Sequence, residues 1–239
     1  MTETVLDRRM LLGGAALVGA AVATAASAQP TAPAATPPSA GGFAPQPQPL
    51  PFDPKAVPGL SEKLLTSHHD NNYVGAVKRL GAIRAQFGKL DLATAPVFEI
   101  NGLKREELIA WNSMILHEIY FAGFTPQVAP SPALAQAVER DFGSHDRWAA
   151  EFSGMGKALG GGSGWVILTY SRHDGRLANT WASDHTQTMA GGTPLLVLDM
   201  YEHAYQMDYG AKAGDYVNAV MKVVSWRHAN EAFQHASAT

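Results

Sequence analysis

The sequence predicts an α+β fold: an N-terminal two-helix hairpin, followed by a C-terminal α/β subdomain with a small three-stranded antiparallel sheet. Apolar residues recur at helical spacing through roughly residues 60 to 86 and 104 to 122, a period typical of helices with one buried face. Three later segments are short, rich in β-branched and aromatic residues, and bounded by turn residues, as strands are. With 46% hydrophobic residues in a chain of 239, these elements can bury one core of ordinary domain size.

The predicted elements fall into two subdomains. The two N-terminal helices and their loop, which contains Pro96 and Asn101-Gly102, form a hairpin subdomain over residues 50–125. Prolines at positions 126, 130 and 132 mark the boundary to a C-terminal α+β subdomain, residues 126–239. The elements predicted there are helices at about 132–141 and 145–159, strands at 165–170, 177–182 and 195–198, and terminal helices.

The first 28 residues are predicted to be an export signal. Arg8 and Arg9 precede an apolar run that ends in Ala26-Ser27-Ala28, the order of a cleavable signal peptide. Paired arginines favour the twin-arginine route and its export machinery; a general secretory signal and an uncleaved anchor are the alternatives. Residues 29–49 are rich in Pro, Ala and Gln and are expected to be a disordered spacer. The expected location is therefore the periplasm or the extracellular space.

The net charge and the cysteine content limit the kinds of partner and environment that the sequence predicts. The formal net charge is −3, and because the charges of Glu3, Asp7, Arg8 and Arg9 cancel, the mature chain keeps it. Nothing in this balance suggests a nucleic-acid partner. The chain has no cysteine, which suits an exported protein that neither needs nor risks disulfide chemistry. No second apolar stretch is long enough for a stable membrane span after cleavage.

A candidate metal motif lies where the third predicted strand ends. Asp199 follows an apolar run, and His203 comes four residues later, so both can face one ion from the same side of the chain. An ordinary helix start is the alternative, with Asp199 as the N-cap residue and Glu202 satisfying free N–H groups. This segment alone leaves both interpretations open.

Two more histidines favour the metal interpretation. His68 and His117 each lie on or beside the apolar face of one hairpin helix. A single histidine in such a position is more often a hydrogen-bonded core residue than a ligand. Together with Asp199 and His203, however, the pair makes a set of three imidazoles and one carboxylate, which suits a redox-active first-row metal. The metal would then lie between the two subdomains.

The string Asp199-Met200-Tyr201-Glu202-His203-Ala204-Tyr205 resembles the D-x-W-E-H-A-[YF] signature of the iron/manganese superoxide dismutase family, with Tyr201 where tryptophan is usual. Supporting segments occur in the family's order from residue 50 to residue 226: Leu60-Ser61-Glu62 before His68-His69, the helix with His117, Phe142-Gly143-Ser144, Gly162-Ser163-Gly164-Trp165 and Val224-Ser225-Trp226. The chain is identified as an exported, divergent member of that family.

The resemblance implies a ligand set and a partner. The metal ligands would be His68, His117, Asp199 and His203, holding one iron or manganese ion per chain, with superoxide as the small-molecule substrate. Glu202 would hydrogen bond the ligand histidine of a second subunit and so bridge a homodimer.

The departures from the family pattern concern the substrate funnel. Where the family has a histidine and a tyrosine that relay protons, an ungapped alignment places Asn72 and Ala76. Tyr73 could serve only if the helix register shifted. Ser113 stands where some iron enzymes have a glutamine, so another hydrogen-bond donor is needed beside the metal, and His185 is the candidate. Asn72, Tyr73 and His185 are therefore the predicted catalytic residues next to the metal.

The sequence therefore predicts a superoxide dismutase, which converts superoxide to dioxygen and hydrogen peroxide. One alternative is a metal-binding envelope protein of the same fold with weak or no turnover. Another is a different oxidoreductase that uses a pocket widened at Ala76 and Tyr201. An iron oxygenase with two histidines and one carboxylate is disfavoured, because a fourth protein ligand leaves fewer open positions on the metal.

Overall fold

A computed structural model of the chain describes residues 45–238. The predicted signal peptide and residues 29–44 of the predicted spacer lie outside this part. The N-terminal half contains the helices α1 (Glu62–Ser67), α2 (Val74–Phe87) and α3 (Val97–Ala122). α2 packs along α3, so the predicted helical hairpin forms. The side chain of Ser61 accepts a hydrogen bond from the N–H of Leu64 and fixes the start of α1.

One π-helical turn, His68–Tyr73, joins α1 to α2 without a break. The N–H of Val74 donates to the carbonyl oxygen of His69, a bond five residues long instead of four. A π turn holds more residues per turn than an α-helix and rotates the side chains that follow it relative to those before it. The sequence predicts one regular helix here, so this change of register is a finding of the structure.

α3 begins at Val97, seven residues before the predicted start at residue 104. Pro96 immediately precedes its first turn, a place where a missing N–H group costs nothing. Asn101 and Gly102, which predict a loop, lie inside the helix. Their low helical propensity costs only about 1 kcal/mol, which the packing of the long helix offsets.

The C-terminal half places helices on a three-stranded antiparallel sheet. The helices are α4 (Pro132–Phe142), α5 (His145–Ala158), α6 (Gln206–Tyr209), α7 (Ala213–Val223) and α8 (Arg227–Ser237). The strands are β1 (Trp165–Ser171), β2 (Arg176–Ala182) and β3 (Gly192–Asp199), in the order β2-β1-β3. The α+β class with its small antiparallel sheet is confirmed.

The register of the sheet places the end of β3 beside the start of β1. Trp165 pairs with Asp199 on one side and with Ala182 on the other. The ladder between β1 and β3 is irregular at Leu168/Thr169, where Thr169 faces Pro194. Proline cannot donate to a ladder and is tolerated at an edge strand or a bulge, and β3 is an edge of this sheet. The irregularity therefore lies away from Asp199, and the ladder runs without a shift from Leu168 to Trp165.

The core of the described residues is continuous between the two halves. The largest fully buried side chains are Trp148, Trp165, Tyr73, Tyr120, Tyr205, Tyr216 and Phe152. α3 packs on both β3 and α8, so the helical hairpin and the sheet share one interior. Among the described residues, no helix combines the length and apolar character that crossing a bilayer requires.

The first prediction concerns Asp141 at the end of α4. Its carboxylate accepts hydrogen bonds from Arg140, from Arg176 and from the N–H of Leu177, and its side chain is 2% exposed. Asp141→Ala is expected to lower the free energy of unfolding by about 2 kcal/mol at pH 7, because the N–H of Leu177 loses a charged acceptor. Urea unfolding of both proteins measures this difference.

The pH dependence of that difference has a defined sign. Burial alone would raise the pKa of Asp141, but hydrogen bonds from Arg140, Leu177 and Arg176 hold it below its usual value. A carboxyl pKa lowered by folding stabilises the protein above the unfolded value of about 3.9 and loses this contribution as the pH falls through the folded value. The difference between wild type and variant should therefore shrink below about pH 4. A difference that stays constant down to pH 2 would contradict this role.

Candidate metal centre

Four side chains from four segments meet between the helical hairpin and the sheet. His68 begins the π turn, His117 lies in α3, Asp199 ends β3, and His203 lies in the short 3₁₀ turn that follows. One ligand atom from each lies within 4.8 Å of every other. His68, His117 and Asp199 are buried, whereas the side chain of His203 is 27% exposed. The centre is therefore closed except on the side of His203.

One carboxylate oxygen is the point where the imidazoles converge. Asp199 Oδ2 lies 3.1 Å from His68 Nε2 and 3.3 Å from His203 Nε2. The third nitrogen, His117 Nε2, lies 3.6 Å from the same oxygen. The other oxygen, Oδ1, accepts the N–H of Tyr201 at 2.8 Å. This bond fixes the carboxylate plane and leaves Oδ2 directed at the histidines.

His117 is oriented by its own helix. Its Nδ1 group donates to the carbonyl oxygen of Ser113 at 2.6 Å, which leaves Nε2 as the unprotonated nitrogen. Nε2 is buried without a hydrogen-bond partner in the described part of the chain. Such an orphaned lone pair is costly unless something binds it. The donor set consists of one carboxylate oxygen and three imidazole nitrogens, of which His117 Nε2 has no hydrogen-bond partner among the described residues. Such a set fits a first-row metal ion.

The protonation states of these side chains also favour a metal site. Burial, followed by the proximity of His68, lowers the pKa of His117 to about 3. Burial also lowers the pKa of His68. Burial of Asp199 would raise its pKa, but hydrogen bonds with His203 and His68 hold it well below its usual range. At neutral pH, His68 and His117 are therefore neutral and Asp199 is ionised, the forms of these side chains that bind metals.

Two buried tyrosines, Tyr216 and Tyr120, support the backbone of Asp199. The hydroxyl group of Tyr216 donates to the backbone carbonyl oxygen of Asp199 at 2.8 Å, and the hydroxyl groups of Tyr120 and Tyr216 lie 3.0 Å apart. Tyr120 also packs against the His68 ring, with centroids 5.1 Å apart. Sequence reasoning missed both tyrosines. No spacing signal links Tyr216 in α7 to Asp199, since only the fold brings them together.

His185 lies beside the four residues. Its Nδ1 accepts a hydrogen bond from Trp165 Nε1 at 3.0 Å, so the ring proton must be on Nε2. The carbonyl oxygen of His185 accepts from Asn112 at 2.6 Å, and its ring lies 6.3 Å from that of His117. Burial lowers its pKa, which keeps the ring neutral with one N–H group to donate. Sequence reasoning did not foresee that Trp165 sets this tautomer.

Tyr201, at the position where tryptophan is usual, lies between two histidines. Its ring stacks on His185 at 4.9 Å and on His203 at 5.3 Å, with interplanar angles of 13° and 12°. Burial raises its pKa to about 12, so the ring stays neutral. The smaller ring of Tyr201 therefore fills the space between these two side chains and fixes their spacing.

The structure does not bring Tyr73 to the four residues. Its hydroxyl group donates to Glu118 Oε1 at 2.9 Å and accepts from the N–H of Gln48 at 2.9 Å. Burial raises its pKa to about 12, so the hydroxyl group remains a donor. Asn72 is half-buried and has no hydrogen bond to the four within the described residues. Tyr73 is the last residue of the π turn, and its side chain lies on the side of Gln48 and Glu118.

Comparisons with known proteins agree with this arrangement. Residues 130–232 match the family described as iron/manganese superoxide dismutases, C-terminal domain. The chain is 63% identical over 189 residues to the iron superoxide dismutase of Cupriavidus metallidurans, covering 79% of this chain and 96% of the relative. It is 33% identical over 193 residues to manganese superoxide dismutase 1 of Halobacterium salinarum, covering 79% and 94%. The iron superoxide dismutase of Aquifex pyrophilus is 32% identical over 191 residues, covering 77% and 88%.

These identities bear on two expectations from the sequence. An identity of 63% over nearly the whole length of one relative does not support the description of the chain as divergent. Relatives that carry iron and relatives that carry manganese both match, and the four residues can hold one ion. Iron or manganese is therefore the cofactor.

Proposed function

Since the chain belongs to the iron/manganese superoxide dismutase family, we propose that it acts as an exported homodimer whose metal is held by His68, His117, Asp199 and His203. The enzyme is a superoxide dismutase: two superoxide anions and two protons give dioxygen and hydrogen peroxide. The observation that carries the ligand assignment is the convergence of three Nε2 atoms on one oxygen of Asp199.

The chain's residues prepare the centre for an anionic substrate. An iron or manganese ion held by these four residues would supply the redox chemistry that carries an electron from one superoxide anion to another. An imidazole that binds a metal through its lone pair is neutral, so three such ligands and the Asp199 carboxylate contribute a single negative charge. With a divalent or trivalent ion the centre is positive in either state, so it attracts superoxide in both half-reactions.

His185 is proposed to supply the hydrogen bond that Ser113 cannot. Because Trp165 occupies Nδ1, the Nε2–H group of His185 is the one available to a solvent or substrate molecule at the centre. A donor in this position orients a reacting oxygen and influences the pKa and redox poise of the centre.

The second prediction tests that role. His185→Leu is expected to lower superoxide turnover by about 10- to 100-fold while the protein keeps its metal, because the hydrogen-bond donor is lost and the ligands are not. His185→Gln, which retains an N–H donor, is the matched variant and should keep more of the turnover. Equal turnover for His185→Leu and wild type, per bound metal, would contradict the proposal.

The activity itself is tested by titrating metal-free protein with iron or manganese and measuring superoxide turnover and bound metal on the same samples. Turnover should rise in proportion to bound metal and level off at about one ion per chain, the capacity of one such ligand set. Protein that binds a full equivalent and turns over no superoxide would instead favour the metal-binding envelope protein.

Export is proposed from the sequence of the first residues. Arg8 and Arg9, the apolar run and Ala26-Ser27-Ala28 support a twin-arginine signal, and the periplasm or extracellular space as the destination. That route carries folded proteins, which suits an enzyme that loads its metal before export. Cell fractionation should find shortened chain outside the cytoplasm, and replacement of both arginines by lysine should retain it inside. Full-length chain confined to the cytoplasm would contradict the proposal.

A homodimer bridged by Glu202 is proposed from the family signature. In the single chain the Glu202 side chain is exposed and has no ion pair or hydrogen bond within residues 45–238, although it adjoins His203. A carboxylate next to a partly exposed ligand histidine can accept a bond from that histidine in a two-fold partner. Each metal centre would then be held in part by the other chain.

The third prediction follows from this bridge. Glu202→Ala is expected to weaken the dimer and to loosen the metal together, since breaking a buried charged contact costs about 3 to 5 kcal/mol, enough to shift a dimer toward monomer at micromolar concentration. Sedimentation with metal content measured on the same fractions tests it. Glu99→Ala, at a half-buried acid in the first turn of α3, is the control. A Glu202→Ala protein that stays dimeric and fully metallated would exclude the bridge.

A further inference from the structure

The chain enters the fold through a proline-rich segment that contacts the π turn. Pro47, Pro49 and Pro51 alternate with Gln48 and Leu50, and residues 45–51 are called the strap here. The N–H of Gln48 donates to the hydroxyl oxygen of Tyr73 at 2.9 Å, and its carbonyl oxygen lies 2.8 Å from His69 Nε2. Pro47 and Pro49 have no N–H group to donate, whereas Gln48 pairs with the π turn through both its N–H group and its carbonyl oxygen.

The two side chains that hold Gln48 come from the π turn, and both lead to the metal centre. His69 follows the predicted ligand His68 in the chain. Tyr73 donates to Glu118 at 2.9 Å, and Glu118 follows His117. A chain of hydrogen bonds therefore connects His69, the neighbour of His68, with Glu118, the neighbour of His117. It passes through the backbone of Gln48 and the hydroxyl group of Tyr73.

The surroundings strengthen the two hydrogen bonds of the Tyr73 hydroxyl group, which are part-buried. Tyr73 is 1% exposed, and the pocket around it is lined by Pro49, Pro51, Phe121 and Ala122. Hydrogen bonds in an apolar, water-poor environment are stronger than those in water. Alternating prolines also restrict the free strap to extended conformations, so docking it loses little conformational entropy. The entropy lost in ordering the strap is therefore small compared with the two bonds that Gln48 gains, a part-buried one with Tyr73 and an exposed one with His69.

We propose that the strap is a positioning element of the metal centre: through Gln48, Tyr73 and Glu118 it holds the π turn in register and so keeps His68 and His117 directed at the same ion. The proposal rests on the proposed assignment of these two histidines as ligands. The π turn is the part of the hairpin that needs such support. If it relaxed to regular α-helix, the side chains before and after it would rotate relative to each other, and His68 would turn away from Asp199.

Tyr73→Phe cuts the hydrogen-bonded chain and keeps the ring. In the full chain loaded with iron, we expect this variant to release iron to a chelator about tenfold faster than wild type. We also expect an altered ferric electron paramagnetic resonance spectrum and faster hydrogen exchange at the amide of Val74, which reports the π turn. Glu118→Leu should have the same effects, whereas Glu118→Gln keeps an acceptor for Tyr73 and should restore behaviour close to wild type.

The matched control is Gln48→Ala. Its side chain bonds only Gln46 across the described residues, and the contacts with the π turn come from the backbone, so iron release should not change. Wild-type iron release and an unchanged spectrum in both Tyr73→Phe and Glu118→Leu would overturn the proposal. His68→Ala, measured alongside, separates the two assignments: if it loses iron and the strap variants do not, the strap has no positioning role and the ligand assignment stands.

Discussion

His203→Ala is expected to lose its metal and its superoxide turnover together. His203 contributes one of three nitrogens around Asp199 Oδ2, at 3.3 Å, and it is the proposed ligand on the open side of the centre. Loss of a partner in the second layer of a metal site already costs about 10- to 100-fold in affinity or activity, so loss of a direct ligand should reduce turnover by more than about 100-fold.

The measurement is metal content and turnover of the purified variant. His173→Ala is the control, because the His173 side chain is 96% exposed in the β1–β2 turn and lies in a different part of the fold. It should retain metal and activity. Retention of about one ion per chain by His203→Ala would remove His203 from the ligand set and would favour its interpretation as part of an ordinary helix start.

Gly164→Ala is expected to have the largest effect on stability. Gly164 precedes β1 and adopts φ = +138°, and a Cβ atom at this position would overlap the backbone carbonyl oxygen of Ala182 on β2. A backbone atom of a paired strand cannot move aside as a flexible side chain can. The strained φ and the overlap together should cost more than about 3 kcal/mol and displace Trp165, which sets the tautomer of His185.

Thermal and urea unfolding test this expectation. Gly154→Ala in α5 is the matched control, since nothing lies within 4 Å of the Cβ position there. Replacing glycine by alanine inside a helix stabilises by about 0.5 to 1 kcal/mol. A Gly164→Ala protein as stable as wild type would show that the approach of Gly164 to β2 is not needed for this fold.

The sequence predicted the elements of the fold better than their junctions. Apolar periodicity located the two hairpin helices and the three strands, because each buries one face or both. It did not locate the start of α3 at Val97, since Asn101 and Gly102 favour a loop locally and only tertiary packing makes the helix continue. It also did not predict the pairing of Trp165 with Asp199, because register depends on two strands at once.

At the candidate site, too, the residues within recognisable segments were predicted better than the positions that depend on the local helix geometry. The residues at the centre, His68, His117, Asp199 and His203, could be selected from motif spacing, since each lies in a recognisable segment. Tyr73 was expected to serve the funnel only if the helix register shifted, and its hydroxyl group bonds Glu118 and Gln48 in the structure. A π turn leaves no periodicity signal in one sequence, because it changes the register by a single residue.

The contacts that support the centre were not predicted either. Tyr216 reaches the backbone of Asp199 from α7, seventeen positions away along the chain, and Trp165 reaches His185 from β1. Neither pair has a spacing that a local rule could detect. Such contacts arise only when separate elements are packed into one core.

The most direct test of the metal centre is a crystal structure of the mature protein with anomalous diffraction recorded at the iron and manganese absorption edges. We expect one iron or manganese peak per chain, bonded to Asp199 Oδ2 and to the Nε2 atoms of His68, His117 and His203. A peak ligated by other residues, or one of these four side chains turned away from the metal, would contradict it.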